Sequence, residues 1–233
     1  MRPDASRPVL LVHGAWHGAW CWRDVAEGLS ARGVKTLAID LPLESIAGDA
    51  ETAMGALDGI GEPAVVCGHS YGGFVLSSMA ASAVAHAVYL AAFMADEGED
   101  FLAMAALAPP EATNGLGAAI AIEDGRSFVR PSEAAAAFYN DCPDDVAAWA
   151  TQQLRAMPAR TMGEPVAGPA VWRSVPSTYV VCEQDVAIPA PWQEVFATRA
   201  DQVERWPTGH SPFLSAPERV VDLLAGLAAR PAR

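Results

Sequence analysis

The chain has 233 residues, of which 52% are hydrophobic and 18% charged, enough for one α/β domain with a full core. A formal charge of -13 repels phosphate backbones and anionic lipid, which argues against nucleic acid or a membrane surface as partner. No apolar run approaches the roughly 20 residues that span a bilayer. The four cysteines, Cys21, Cys67, Cys142 and Cys182, lack C-x-x-C spacing, so a reduced cytoplasmic protein without disulfides or a metal site is expected.

In chain order, polar Met1 to Arg7 leads directly into a strand, so no signal peptide is expected. Val9 to Val12 is that β-branched strand, ending at His13-Gly14, and a loop rich in small and aromatic residues, Ala15 to Trp22, follows. Asp24 to Arg32 reads as an amphipathic helix stopped by Gly33, and Lys35 to Ile39 as the second strand. A helix over Asp49 to Leu57 precedes the strand Ala64 to Cys67, then a helix over Phe74 to Ala81 and a fourth strand, Ala87 to Ala91. Regularity lapses from 96 to 173, where helical pieces (Ser132 to Tyr139, Asp144 to Ala156) are broken by prolines. Alternation resumes with strand Thr178 to Cys182, helix Pro191 to Thr198, strand Gln202 to Trp206 and helix Pro217 to Ala229. Strands alternating with helices imply about six parallel strands with helices on both faces. The expected layout is a core of residues 1–95 and 174–233, with 96–173 as a small, mainly helical cap inserted after the fourth strand.

The densest signal is Gly68-His69-Ser70-Tyr71-Gly72, a G-x-S-x-G between a strand and a helix. There the serine sits on a sharp, strained turn with its hydroxyl clear of the sheet edge. Glycine flanks the turn because a side chain at 68 or 72 would strike the neighbouring strand or helix. The Tyr71 N–H, at the helix start, points to where an oxyanion would form.

A serine hydroxyl needs a base, and the base a carboxylate to fix its tautomer. After an elbow serine the chain order is serine, acid, histidine. Of five histidines, His13, His17 and His69 precede Ser70, and His86 follows too closely for an acid-bearing strand to intervene. His210, in the loop after the last strand, is therefore the base. Asp185, just past a strongly apolar strand, is the preferred acid, with Asp96 as alternative. The cap carboxylates Asp141, Asp144 and Asp145 are expected to face solvent. The Ala15 N–H supplies the second oxyanion donor. His13 is read as bonded within its loop, and His17 as bonding a loop carbonyl or lining the pocket. Trp16, Trp20 and Trp22 either wall the acyl pocket or pack the loop on the core. Trp16, His17, Phe93, Leu102 and Ser211 are the candidate pocket residues.

These pieces resemble the α/β-hydrolase superfamily, and within it the branch of plant methyl-ester esterases, hydroxynitrile lyases and their bacterial relatives. Leu11 to Trp20, the elbow, Ala87 to Met94, Tyr179 to Asp185 and Gly209-His210 carry the likeness. The resemblance places nucleophile, acid and base on Ser70, Asp185 and His210, and oxyanion amides on Ala15 and Tyr71. Lyases of this type carry threonine and lysine where this chain has Gly14 and Ser211, so lyase activity is disfavoured. A serine esterase for small hydrophobic or aromatic esters is expected, needing no cofactor. The alternatives are a lyase, a C–C hydrolase, a tailoring cyclase or a receptor-like binder. The partner expected is a small-molecule ester, with a homodimer left open.

Overall fold

The computed structural model describes residues 6–112 and 116–229. Its elements in order are β1 (Val9–Val12), α1 (Arg23–Ala31), β2 (Thr36–Ile39), α2 (Ile46–Asp58), β3 (Ala64–His69), α3 (Gly72–Ser77) and β4 (Val84–Leu90). Then come α4 (Phe101–Ala105), α5 (Leu116–Ala119), β5 (Ile120–Glu123), β6 (Arg126–Val129), α6 (Pro131–Phe138), α7 (Asp144–Gln153) and β7 (Met157–Pro158). The chain closes with β8 (Ser177–Cys182), α8 (Ala190–Ala197), β9 (Gln202–Trp206), α9 (Pro212–Ser215) and α10 (Pro217–Ala228).

Six strands form one parallel sheet in the order β2-β1-β3-β4-β8-β9, as the alternating pattern implied. Successive β1 residues enter opposite cores: Leu10 and Val12 pack on the face of α2, α3 and α8, while Val9 and Leu11 pack on the face of α1 and α10. Burial on both faces is why these strands read as unbroken apolar runs. Each fully buried Val or Leu contributes about 1.5–3 kcal/mol relative to exposure. The chain runs from β1 outward to the edge strand β2, then back across to β3. The order therefore reverses between β1 and β3, and a crevice opens beyond their carboxyl ends. The Ala15 loop and the Ser70 turn emerge there.

Several element ends differ from the sequence reading. α2 starts at Ile46 rather than Asp49, because Ser45 caps it by accepting from Gly48 N at 3.0 Å. The helix after the elbow ends at Ser77, short of the expected Ala81, and 81–83 forms a 3-10 turn instead. The segment between β4 and β8 is less helical than expected: β5, β6 and β7 make an antiparallel sheet. Its hairpin turns at Asp124 (φ 49°) and Gly125 (φ 75°), the double left-handed step that an Asp-Gly pair supplies.

Candidate active site

Ser70 stands at the end of β3 with φ 52°, a left-handed conformation that costs a residue with a Cβ roughly 1–2 kcal/mol. The surroundings hold it there. Its carbonyl accepts from Gly73 N (3.0 Å) and Phe93 N (3.2 Å). The flanking glycines are needed for close approach. A Cβ at Gly68 would lie 2.5 Å from Gly72 O, and one at Gly72 would lie 2.7 Å from Val12 O. The elbow helix therefore presses directly on the end of β1.

Asp185 follows β8 and is 5% exposed; His210 follows β9 and is 1% exposed. Asp185 Oδ1 accepts from the amides of Ala187 (2.7 Å) and Ile188 (2.9 Å). Its Oδ2 accepts from Gln193 Nε2 (2.9 Å) and His210 Nδ1 (2.7 Å). An ionised carboxylate only accepts, so the His210 proton sits on Nδ1 and Nε2 is left basic. Among the described residues no hydrogen bond joins Ser70 Oγ to His210. His69, next to Ser70 in the chain, packs against the base candidate: its ring centre lies 4.6 Å from that of His210 and its Nε2 donates to His210 O at 2.9 Å. Catalytic hydrogen bonds often tighten only when substrate binds. Burial pushes the His69 pKa far down, so it serves as a neutral support and not a base. The alternative acid, Asp96, is engaged elsewhere: Arg173 pairs with it, Nε to Oδ1 at 2.8 Å, and holds it below the usual carboxylate range.

Among the described residues, neither the Ala15 nor the Tyr71 amide donates a hydrogen bond. Both residues line the same cavity as Ser70, an apolar space of about 160 Å³ walled by Trp16, Phe93, Phe101, Leu116, Ile120, Ile122 and Met162. Of the candidate pocket residues, Trp16 and Phe93 line this cavity. The other expected pocket residues lie elsewhere. Leu102 is 71% exposed, on the outer side of α4. Ser211 is fully buried away from the cavity. His17 lies beneath its own loop, Nδ1 donating to Ala15 O (2.8 Å) and Nε2 accepting from Tyr139 Oη (2.9 Å). Burial lowers its pKa to about 3. Trp22 is buried in the α1–α10 core, and Trp20 stacks on His17, so the loop tryptophans other than Trp16 pack loop on core. A larger groove of about 640 Å³, around Arg7, His86 and Trp172, lies at the amino ends of the strands, remote from Ser70.

The sequence reading missed how the segment between β4 and β8 holds the site. Asp141, expected in solvent, accepts from Gly209 N at 2.6 Å, one residue before His210. Asn140 Nδ2 donates to Gln184 O (3.0 Å), one residue before Asp185, and Tyr139 reaches the Ala15 loop through His17. Asp144 and Asp145 do face solvent, in the first turn of α7. Asp49 is fully buried, accepting from Tyr71 Oη (2.7 Å) and Leu43 N (2.9 Å). Nothing in local periodicity marks these contacts. Among the described residues, no group of three or more His, Cys, Asp or Glu is placed to hold a metal, and no helix is long and apolar enough to cross a membrane.

A parallel sheet with a strained serine at the β3 turn and a histidine–aspartate pair at the same sheet edge defines an α/β protein of the elbow-serine class. Residues 9–223 match the alpha/beta hydrolase family. The chain is 29% identical to the carbendazim hydrolyzing esterase of Nocardioides sp., covering 94% of this chain and 98% of that one. It is 27% identical to methylesterase 7 of Arabidopsis thaliana, covering 98% of both. A pyrethroid hydrolase from Sphingobium faniae superposes with a TM-score of 0.85 at 23% identity, over 97% of this chain and 98% of that one. The chain belongs to the alpha/beta hydrolase family, and its likeness to plant methylesterases is the one its motifs carry.

Proposed function

We propose that the chain is a carboxylesterase-type α/β-hydrolase that cleaves small hydrophobic or aromatic esters through Ser70, His210 and Asp185. The observation that carries this reading is the buried 2.7 Å bond from His210 Nδ1 to Asp185 beside a serine at φ 52°. The elbow, the two undonated amides and the names of the relatives support it.

His210 Nε2 takes the Ser70 proton as Oγ attacks the ester carbonyl carbon. Asp185 stabilises the imidazolium that results and prevents its ring from turning. The carbonyl oxygen becomes an oxyanion received by the N–H groups of Ala15 and Tyr71, each worth about 3 kcal/mol of barrier. His210 then protonates the leaving alcohol, and a water deprotonated by the same ring releases the acid. The cavity wall offers almost no polar surface, so the group it encloses is selected by shape and apolar character. Residues 96–173 act as the cap that closes this space. No cofactor enters any step. A cytoplasmic setting would keep the four free cysteines reduced.

The lyase alternative meets a steric obstacle. A Cβ at Gly14 would lie 2.9 Å from His69 Nδ1 and 3.0 Å from Ser70 Cβ, leaving no room for the threonine that such lyases carry.

The test is hydrolysis of p-nitrophenyl and methyl aryl esters, together with labelling by a fluorophosphonate probe. Both are expected in the native chain and lost in Ser70→Ala. A chain that binds aryl esters yet neither turns them over nor labels at Ser70 would establish the binder instead.

A further inference from the structure

The Ala15 N–H shares a peptide unit with the Gly14 carbonyl. That unit is trans and planar, so the two groups point in opposite directions, and whatever fixes Gly14 O also aims Ala15 N–H. His13 Nδ1 donates to Gly14 O at 2.8 Å. It can do so only in one tautomer. His13 Nε2 faces Leu41 N at 3.0 Å and Arg155 Nη2 at 3.4 Å, groups that only donate, so Nε2 accepts and Nδ1 carries the proton. Burial, with the Arg155 charge adding to it, keeps the ring neutral, its pKa lowered to about 4.

Arg155 comes from the far side of the chain, just beyond α7. Besides facing His13, its backbone N donates to Trp16 O (2.9 Å), its Nε to His17 O (2.9 Å) and its Nη2 to Leu41 O (2.6 Å). Trp16 needs such restraint: at φ 62° it holds a left-handed conformation that a residue with a Cβ leaves when unsupported. One residue thus grips the carbonyls of the strained residue and of the one after it, and closes the donor set around His13.

We propose that Arg155 is a positioning residue for the oxyanion hole, keeping the Ala15 N–H aimed at the space in front of Ser70 by bracing Trp16 and His17 and by fixing the His13 tautomer. The assignment rests on the ester-hydrolase reading above. Arg155 is exposed, so replacing its side chain removes the contacts to His13, His17 and Leu41 without opening the core, while the backbone bond to Trp16 O remains.

The experiment compares the full-length native chain with Arg155→Met, which keeps the stem and loses every side-chain donor, and with Arg155→Lys. Kinetics on p-nitrophenyl butyrate give kcat and KM separately. Affinity is measured for an alkyl trifluoromethyl ketone, to whose carbonyl carbon Ser70 Oγ adds, leaving an oxyanion in the hole. The matching secondary alcohol, which cannot add, reports the pocket alone. Arg155→Met is expected to lower kcat at least tenfold with KM within twofold. It should weaken the ketone by a similar factor and leave the alcohol within twofold, with Arg155→Lys in between. Native kcat in folded Arg155→Met, or equal losses for ketone and alcohol, would overturn the proposal. Should Arg155→Met not fold, Arg155→Lys decides: a kcat loss of threefold or more at unchanged alcohol affinity supports it, and native kcat overturns it. A native chain that neither hydrolyses the ester nor binds the ketone overturns the hydrolase reading itself, which failure of the variants alone does not.

Discussion

Replacing Tyr71 by phenylalanine removes one oxygen and strands a buried charge. The Tyr71 hydroxyl donates to Asp49 Oδ2 at 2.7 Å; both residues are fully buried, and the Leu43 amide is the other donor to that carboxylate. Phenylalanine fills nearly the same volume, so no cavity forms and the cost is electrostatic. A hydrogen bond to a charged group contributes about 1.5–3 kcal/mol net, and the deserted oxygen keeps its desolvation penalty, so Tyr71→Phe should cost about 2–3 kcal/mol near pH 8. The pH dependence follows from Asp49, whose pKa burial raises above the ordinary carboxylate value while the tyrosine hydroxyl opposes that rise. A carboxyl raised on folding stabilises most below its unfolded pKa, and that stability is lost as pH rises through the folded pKa. Without the hydroxyl the folded pKa climbs further, so the deficit of the variant shrinks as pH falls and Asp49 takes up its proton. Urea unfolding followed by tryptophan fluorescence at pH 8 and pH 5 measures both quantities. Because the proposed mechanism uses the Tyr71 amide and not its hydroxyl, kcat should change no more than about threefold. A destabilisation under about 0.5 kcal/mol, or one that grows toward acid, would refute the account of Asp49 as a buried acceptor dependent on this bond.

Asp185→Asn should lower kcat by about four orders of magnitude with little change in KM. The Ala187 and Ile188 amides require an oxygen at one position, which turns the new NH2 toward His210 and Gln193 Nε2 and reverses the imidazole tautomer; steady-state kinetics check it. Phe93→Ala should cost about 3–5 kcal/mol by urea unfolding, since the ring is 3% exposed among Phe74, Phe101, Trp192 and Phe196. It should also raise relative kcat/KM for esters too bulky for the native cavity. Glu99, paired with Arg199 (Nη2 to Oε1, 2.9 Å), is held below the usual carboxylate range, so its stabilisation is present above the unfolded pKa and lost as pH falls through the folded one. Glu99→Gln should therefore flatten the acid limb of a Tm-against-pH curve while costing about 1 kcal/mol at pH 7.

The sheet was legible because its strands are buried on both faces and so read as β-branched runs bounded by glycine and polar turns. Val9 to Val12 and Gln202 to Trp206 fall where the sequence puts them. The groups proposed for the site come from scarcity and order: of five histidines, only His210 lies far enough beyond the elbow for an acid-bearing strand to intervene. The β5–β6 hairpin was also within reach, since Asp124-Gly125 is a strong turn signal, but alanines and prolines around it suggested broken helix. What the sequence does not encode locally is tertiary reach. In the sequence Asp141 and Arg155 look like ordinary solvated charges. Their partners, Gly209 and the Ala15 loop, lie 68 or more positions away, and only assembly of the sheet edge brings them together. Leu102 shows the converse: an apolar residue in an apolar stretch, facing outward because, two residues before the buried Met104, it lies on the opposite side of α4.

The consecutive residues Tyr139, Asn140 and Asp141 touch three separate connections of the sheet, those carrying Ala15, Asp185 and His210. A hinge that swung this stretch outward would break all three attachments at once, so ligand traffic is expected through gaps between side chains. The stretch is also a poor unit for exchange: a chimaera that borrows 96–173 from a relative to change selectivity inherits foreign fasteners for the connections that carry Ala15, Asp185 and His210. Specificity is better altered one wall residue at a time, leaving those three anchors in place.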